Sequence, residues 1–220
     1  RYIRRQRQMC IRDRFGFARQ IGIAGCSVLA MRITYVGELG WELHLPVENA
    51  QTVYSALIEA GTPLGLRNAG YRAIETLRLE KGYRAWSSDI GPDHTPDEAG
   101  LGWAVKMKSN ISFKGRDAVA RQREEGIKKI MATFTTDSDI ILSGRETIYR
   151  NGNRCGWLSS AGFGHTIGKF IGMGYVRGDE YIDTEFVLSG DYELEVATER
   201  VKANVFLKPL YDPKLEKVKT

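Results

Sequence analysis

The sequence predicts an α+β domain, with helices on one face of an antiparallel sheet, followed by a small all-β barrel. Three observations carry this. Alternating apolar residues form a hairpin over 28–45 and are followed by two helical stripes up to residue 81. Near residue 126 the pattern changes to short, closely spaced strands with glycine turns. Within that second region, Asn151-Gly152 between two apolar runs marks a two-residue hairpin, since both turn positions need positive φ.

The elements follow in order. Leu29, Met31, Ile33 and Tyr35 alternate along a strand from Val28 to Val36. Gly37-Glu38-Leu39-Gly40 turns the chain, and a strand from Trp41 to Leu45 sets Trp41, Leu43 and Leu45 on one face, with Glu42 and His44 on the other. Pro46 ends it. A helix over about 48–60 carries Val53, Tyr54, Leu57 and Ile58 as its apolar stripe and stops at Gly61. A second helix, capped by Asn68, runs to about Lys81 and closes at Gly82; an extended return reaches about Val105. A charged connecting helix spans Arg116 to Glu125. Strands are expected over Ile130–Thr135, Thr147–Arg150, Arg154–Leu158, Phe170–Val176, Phe186–Leu188, Glu193–Ala197 and Val201–Leu207. The domains are then 15–126 and 127–220.

The formal charge of +5 suggests a nucleic-acid or acidic partner, but its location argues otherwise. Residues 1–14 hold six arginines against Asp13 alone, and the remainder carries 26 residues of each sign. No nucleic acid is therefore expected as a partner. Arg4 to Arg14 has no apolar period of 3.6 or 2, and Arg4-Arg5-Gln6-Arg7-Gln8-Met9-Cys10-Ile11-Arg12-Asp13 matches one translated frame of a transposase-type sequencing adapter. Residues 1–14 are expected to be an artefact, without ordered structure and dispensable. No apolar run approaches 18 residues, so no membrane span is expected, nor is a secretory signal. Cys26 and Cys155 are far apart without a C-x-x-C, and read as buried thiols of a reducing compartment; His44, His94 and His165 are scattered, so no metal site is expected.

Gly162-Phe163-Gly164 and Gly172-Met173-Gly174 supply G-x-G, but the next glycines, Gly168 and Gly178, come one position late for a dinucleotide fingerprint. Both are read as barrel turns. Asn110-Ile111-Ser112 fits a glycosylation sequon and is read as chance. The informative stretch is Tyr35-Val36-Gly37-Glu38-Leu39-Gly40-Trp41-Glu42-Leu43. Glu42 opposes the apolar face of its own strand. It is either an exposed strand residue or a carboxylate facing a ligand, able to accept two parallel N–H bonds such as an aminopyrimidine edge offers.

That stretch resembles the signature of the glycine-cleavage T-protein superfamily. The runs Asn68 to Trp86, Asp89 to Asp93, Thr95 to Leu101, Ser189 to Tyr192 and Pro209 to Pro213 narrow the resemblance to the carboxy-terminal region of the sarcosine and dimethylglycine dehydrogenase family. The resemblance covers essentially all of 15–220. It implies a fragment of a flavoenzyme that oxidises a small N-methyl amine at FAD in an amino-terminal domain of the full-length parent and passes a one-carbon unit to tetrahydrofolate. An electron-accepting flavoprotein is implied as a further partner of that parent. In such folds the glutamate matching Glu42 grips the pterin and the tyrosine matching Tyr35 lines the same pocket.

Two departures stand out. The position of the family's folate arginine is Ile74 here, and neither Arg72 nor Arg78 falls at the matching place. The family's catalytic aspartate belongs upstream of residue 15, so no catalytic residue is assigned, and the fragment alone is expected to retain no flavin and oxidise no amine. Sarcosine is the favoured parental substrate. The alternatives are dimethylglycine specificity, a free-standing aminomethyltransferase, and a non-catalytic regulatory homologue like the regulatory subunit of pyruvate dehydrogenase phosphatase. The implied location is cytoplasmic in a bacterium and the mitochondrial matrix in a eukaryote.

Overall fold

The computed structural model describes residues 15–219; the expectation for residues 1–14 lies outside these. The chain divides into two compact units, one running up to Ile74 and taking in residues from Lys214 on, the other spanning Glu75–Pro213.

In the first unit, three antiparallel strands lie in the order β1 (Ala18–Ile23), β2 (Cys26–Met31) and β3 (Glu42–His44). Strand β1 is absent from the sequence reading. It pairs with β2 through a two-residue turn, Ala24-Gly25, at φ of 47° and 82°. The expected hairpin pairs Leu29 with His44 and Met31 with Glu42, but β2 ends at Met31 rather than Val36. Arg32 explains this. It is 2% exposed, and its guanidinium donates to Gly40 O at 3.1 Å and Val218 O at 3.4 Å, over the Trp41 ring at 5.7 Å. A buried cation binding carbonyls across the 32–41 connection makes a loop there instead of a ladder.

A 3₁₀ turn, Val47–Asn49, leads into helix α1 (Ala50–Gly61). Of the expected apolar stripe, Val53 is buried and Ile58 half-buried, while Tyr54 and Leu57 are exposed. Helix α2 (Tyr71–Glu80) opens three residues after Asn68, whose amide donates to the Tyr54 hydroxyl at 2.6 Å.

In the second unit, residues 82–105 are successive turns and a 3₁₀ segment, Gly102–Ala104, not an extended return. They curl about the buried Asp89, whose carboxylate accepts the Ala85 N–H at 2.9 Å. Helix α3 (Arg116–Glu125) stands where the sequence placed it.

The barrel closes in the order β4-β7-β6-β5-β8-β9, with β4 (Ile127–Thr136), β5 (Thr147–Arg150), β6 (Asn153–Gly164), β7 (Lys169–Ile182), β8 (Tyr192–Val196) and β9 (Glu199–Phe206). Asn151 and Gly152 have the positive φ values that the β5–β6 turn requires. Its interior holds Ile130, Ala132, Phe134, Ile148, Leu158, Val176 and Leu194. Residues of opposite parity on the same strands, Met131, Ile171, Met173 and Tyr175, pack outside against Leu79 of α2. Over 130–136 and 171–176, strands β4 and β7 are therefore buried on both faces, in continuous buried runs rather than an alternation.

Two expectations are corrected here. Phe186–Leu188 belongs to a short helix, α4 (Thr184–Leu188), because the Asp183 carboxylate accepts the Phe186 N–H at 2.8 Å and caps it. The G-x-G pairs lie within β6 and β7, not in turns. A Cβ on Gly172 would stand 2.4 Å from Leu158 Cδ1, and one on Gly174 2.4 Å from Trp157 O. These glycines permit close approach across the barrel wall.

Candidate functional site

The sequence singles out Tyr35 and Glu42. Glu42 opens β3, and its side chain lies on the exposed face together with His44, while Trp41, Leu43 and Leu45 are half-buried on the other. The strand alternation thus stands. Glu42 Oε2 lies 3.2 Å from His44 Nε2, and the two side chains keep about half their surface in solvent, at 48% and 53%. Tyr35 sits in the 32–41 connection and is 37% exposed. That connection is shaped by Gly37 at φ 80°, by Val36 N–H donating to Thr34 Oγ1 at 3.2 Å, and by Gly40, where a Cβ would meet Thr34 Cβ at 3.0 Å. The Arg32 contacts hold the loop that carries Tyr35 and delivers the chain to Glu42. An outward carboxylate with no buried competitor can accept paired N–H donors from a ligand.

Arg78, which does not fall at the place of the family's folate arginine, is fully buried and committed to structure. Its guanidinium ion-pairs with Asp89, itself fully buried, and with Glu75, and donates to Ser160 Oγ at 2.9 Å and Tyr83 O at 3.1 Å. Burial pulls the Arg78 pKa down, but its hydrogen bond to Glu75 and the charges of Asp89 and Glu75 outweigh it, and the net shift is upward. Asp89 also accepts from the Ser159 hydroxyl. The adjoining charges are equally occupied. The Glu80 carboxylate accepts Thr166 N–H at 2.6 Å and Ile167 N–H at 3.0 Å; Lys81 Nζ reaches Asp212 Oδ2 at 2.6 Å and Asp212 O at 2.8 Å. The sequence reading recognised this stretch by resemblance but gave it no physical role. Its signal was three charged residues around Leu79 at the end of an amphipathic helix.

Comparison with known proteins places the chain. Residues 9–109 match the glycine cleavage T-protein (GCVT) N-terminal domain, and residues 129–212 match the glycine cleavage T-protein C-terminal barrel domain. The chain belongs to the glycine-cleavage T-protein family. Within this family it is 44% identical to human mitochondrial sarcosine dehydrogenase over 89% of its length, and 42% identical to the mouse protein. It spans only 22% of either relative. An aminomethyltransferase from Halothermothrix orenii is 42% identical over 72% of the chain and 44% of that protein. The crystal structure of aminomethyltransferase T from Bartonella henselae superposes with a TM-score of 0.73 at 25% identity, covering 84% of this chain and 50% of that one. The architecture of this T-protein family member, a small antiparallel sheet with helices plus a closed barrel, is therefore a family property.

Proposed function

We propose that this chain is the folate-binding region of a sarcosine dehydrogenase-like flavoenzyme, with Glu42 as the pterin-gripping carboxylate and Tyr35 beside it. The observation that carries the reading is the outward Glu42 on β3 in a T-protein family chain 44% identical to a sarcosine dehydrogenase. Tetrahydrofolate, when bound, supplies the nitrogens that accept a one-carbon unit. The residues here bind and orient it: Glu42 accepts N–H donors from the aminopyrimidine edge, and Tyr35 offers a ring face and a hydroxyl. The folate arginine of the family is replaced by Ile74, which leaves the grip on the pterin to Glu42.

FAD does not fit these residues. The G-x-G pairs lie inside barrel strands, where close packing fills the space above the glycines, and none opens a helix for a pyrophosphate. Amine oxidation, with its small N-methyl amine substrate and a flavoprotein electron acceptor, is assigned to other parts of a longer parent, mitochondrial if the source is eukaryotic. The specificity between sarcosine and dimethylglycine is assigned there too.

A second reading has a specific basis. The chain is 34% identical, over 84% of its length, to the mouse mitochondrial regulatory subunit of pyruvate dehydrogenase phosphatase, so a binding role without catalysis is the alternative. Saturation-transfer NMR with tetrahydrofolate under anaerobic conditions separates them, because it detects weak binding. A charge-assisted contact contributes about 1.5–3 kcal/mol, so Glu42→Gln is expected to weaken binding by about ten- to a hundredfold. Tyr35→Phe is expected to cost less, since the ring remains. Equal signals from the Glu42→Gln variant and the parent chain would sink the pterin assignment.

A further inference from the structure

Within the second unit, a cavity of about 210 Å³ opens beside the Asp89 turn, with Arg145, Arg177, Ser87, Ser88, Ser159 and His94 on its walls. It is smaller than the roughly 300–1,000 Å³ of pockets for larger organic ligands. We propose that it binds a small oxyanion, a phosphate or carboxylate group, between the two guanidinium groups and the serine hydroxyls. This goes beyond the folate reading and does not depend on it.

Four features converge. First, two arginines line the cavity and no carboxylate does. Elsewhere in this unit several cations have acids: Arg78 has Asp89 and Glu75, Lys81 has Asp212, Lys129 has Glu98; Arg84, Arg116 and Arg150 donate to backbone carbonyls. Second, Arg177 is held in place, its guanidinium stacked 4.0 Å from the centre of the Trp157 ring. Stacking fixes the plane of the fork and leaves its N–H edge free for a planar or tetrahedral oxyanion. Third, two non-glycine residues on the wall have positive φ, Ser87 at 74° and Arg145 at 81°. Such backbone is costly, and at both places it belongs to a residue that presents a donor to the same cavity. Fourth, His94 Nδ1 is buried without a hydrogen-bond partner, although its ring is stacked on Tyr175 at 4.6 Å. Burial and the neighbouring Lys129 push the His94 pKa down, against the pull of Glu98 and Asp93, and Arg177 adds to the downward shift.

The wall is braced from behind. The single Ser159 hydroxyl proton is taken up within the protein, with Asp89 and Met173 O (3.1 Å) both in reach as acceptors, so it is not available to an anion, while Tyr175 Oη donates to Asp89 O at 3.1 Å. The donors available to an oxyanion are thus the two guanidiniums and the hydroxyls of Ser87 and Ser88, with His94 at the margin. The Arg78–Asp89 pair fixes the turn that carries both serines, so the buried ion pair is the scaffold of the anion site rather than part of it.

The test is calorimetry on the full chain, titrating inorganic phosphate and malonate separately at constant ionic strength in chloride. Saturable binding of at least one anion above the chloride background is expected, and the stronger of the two names the source chemistry. Arg145→Asn removes the guanidinium while tolerating the left-handed backbone; it is expected to weaken binding about tenfold or more without lowering the unfolding temperature. Arg177→Lys keeps the charge but loses the fork, and a similar loss is expected. Arg121→Gln, on the exposed face of α3, is expected to change nothing. NMR titration of the His94 ring provides a readout independent of folding: saturating anion is expected to raise its midpoint. The proposal fails if neither anion saturates, if both cavity variants bind like the parent, if Arg121→Gln weakens binding as much as they do, or if His94 titrates unchanged.

Discussion

The two units bury their residues by different means. In Glu75–Pro213 the barrel fills its own interior, a second apolar layer joins β4 and β7 to α2, and three successive charges around Leu79 are sealed by partners. Among its described residues the first unit has far less: Val28, Ala30, Val53 and Val218 are the buried apolar ones, while Val47, Leu64 and Tyr71 are 86%, 89% and 78% exposed. Among its described residues the buried cation is Arg32, whose guanidinium meets carbonyls and an aromatic ring. The difference shows where rigidity and availability reside. The barrel unit commits buried charges to one another and leaves the Arg145–Arg177 cavity with donors to spare; the sheet unit keeps its polar and apolar groups accessible, Glu42 among them.

The largest effect that tests this contrast is at Asp89. Asp89→Ala leaves the Arg78 charge buried beside Glu75 alone, and breaking a buried pair costs about 3–5 kcal/mol. Denaturant unfolding is expected to show that loss; a cost below about 1 kcal/mol would mean the ion pair is not what closes the barrel unit. Next come equivalent valine truncations. Val176→Ala in the barrel is expected to cost about 2 kcal/mol, from transfer plus an unrelaxed cavity. Val28→Ala, in the thin core, is expected to cost about 1 kcal/mol because neighbours can collapse around it. Equal costs would erase the comparison. Smallest is a pH effect at Cys155. Burial lifts its thiol from 9.0 to about 11, against weaker lowering by Arg177 and Arg150. Above pH 9 the unfolded chain releases this proton and the folded one retains it. The Cys155 contribution to stability is therefore intact below about pH 9 and lost as pH rises through about 11. Alkylation of Cys155 at pH 8 is expected to be slow compared with a free thiol, because the raised pKa leaves little thiolate.

Much of the barrel was legible because its signals are local. Asn151-Gly152 needs only its own φ values, and α3 stands at Arg116–Glu125 because a charged helix flanked by glycines has few alternatives. The errors arose where a local pattern had two solutions. Phe186-Val187-Leu188 fits a strand or a helical turn, and Asp183, three residues earlier, decides it. Ala18–Ile23 carries Ile21 and Ile23 at strand spacing beside Gly22, a weak signal that pairing with β2 completes. Val28 to Val36 alternates throughout, yet Arg32 interrupts the ladder because its partners, Gly40 and Val218, are not its sequence neighbours. For the candidate site, the outward direction of Glu42 could be read from period two alone. The cavity with Arg145 and Arg177 could not, since its walls come from residues 87–94, 145, 157–159 and 175–177, which only the barrel brings together.

The charges around Leu79 also bear on synthesis. Arg78, Glu80 and Lys81 find their partners at residues 89, 166–167 and 212, the last 131 positions away. A chain emerging from a ribosome amino-terminus first exposes α2 well before those partners exist. At about 5–20 residues per second, the wait between Lys81 and Asp212 is on the order of ten seconds. Through that interval Lys81 has to remain hydrated, and the apolar stripe beside it stays uncovered. The barrel unit therefore completes late in translation, and the nascent α2 is a segment on which a chaperone or a protease has a long opportunity to act.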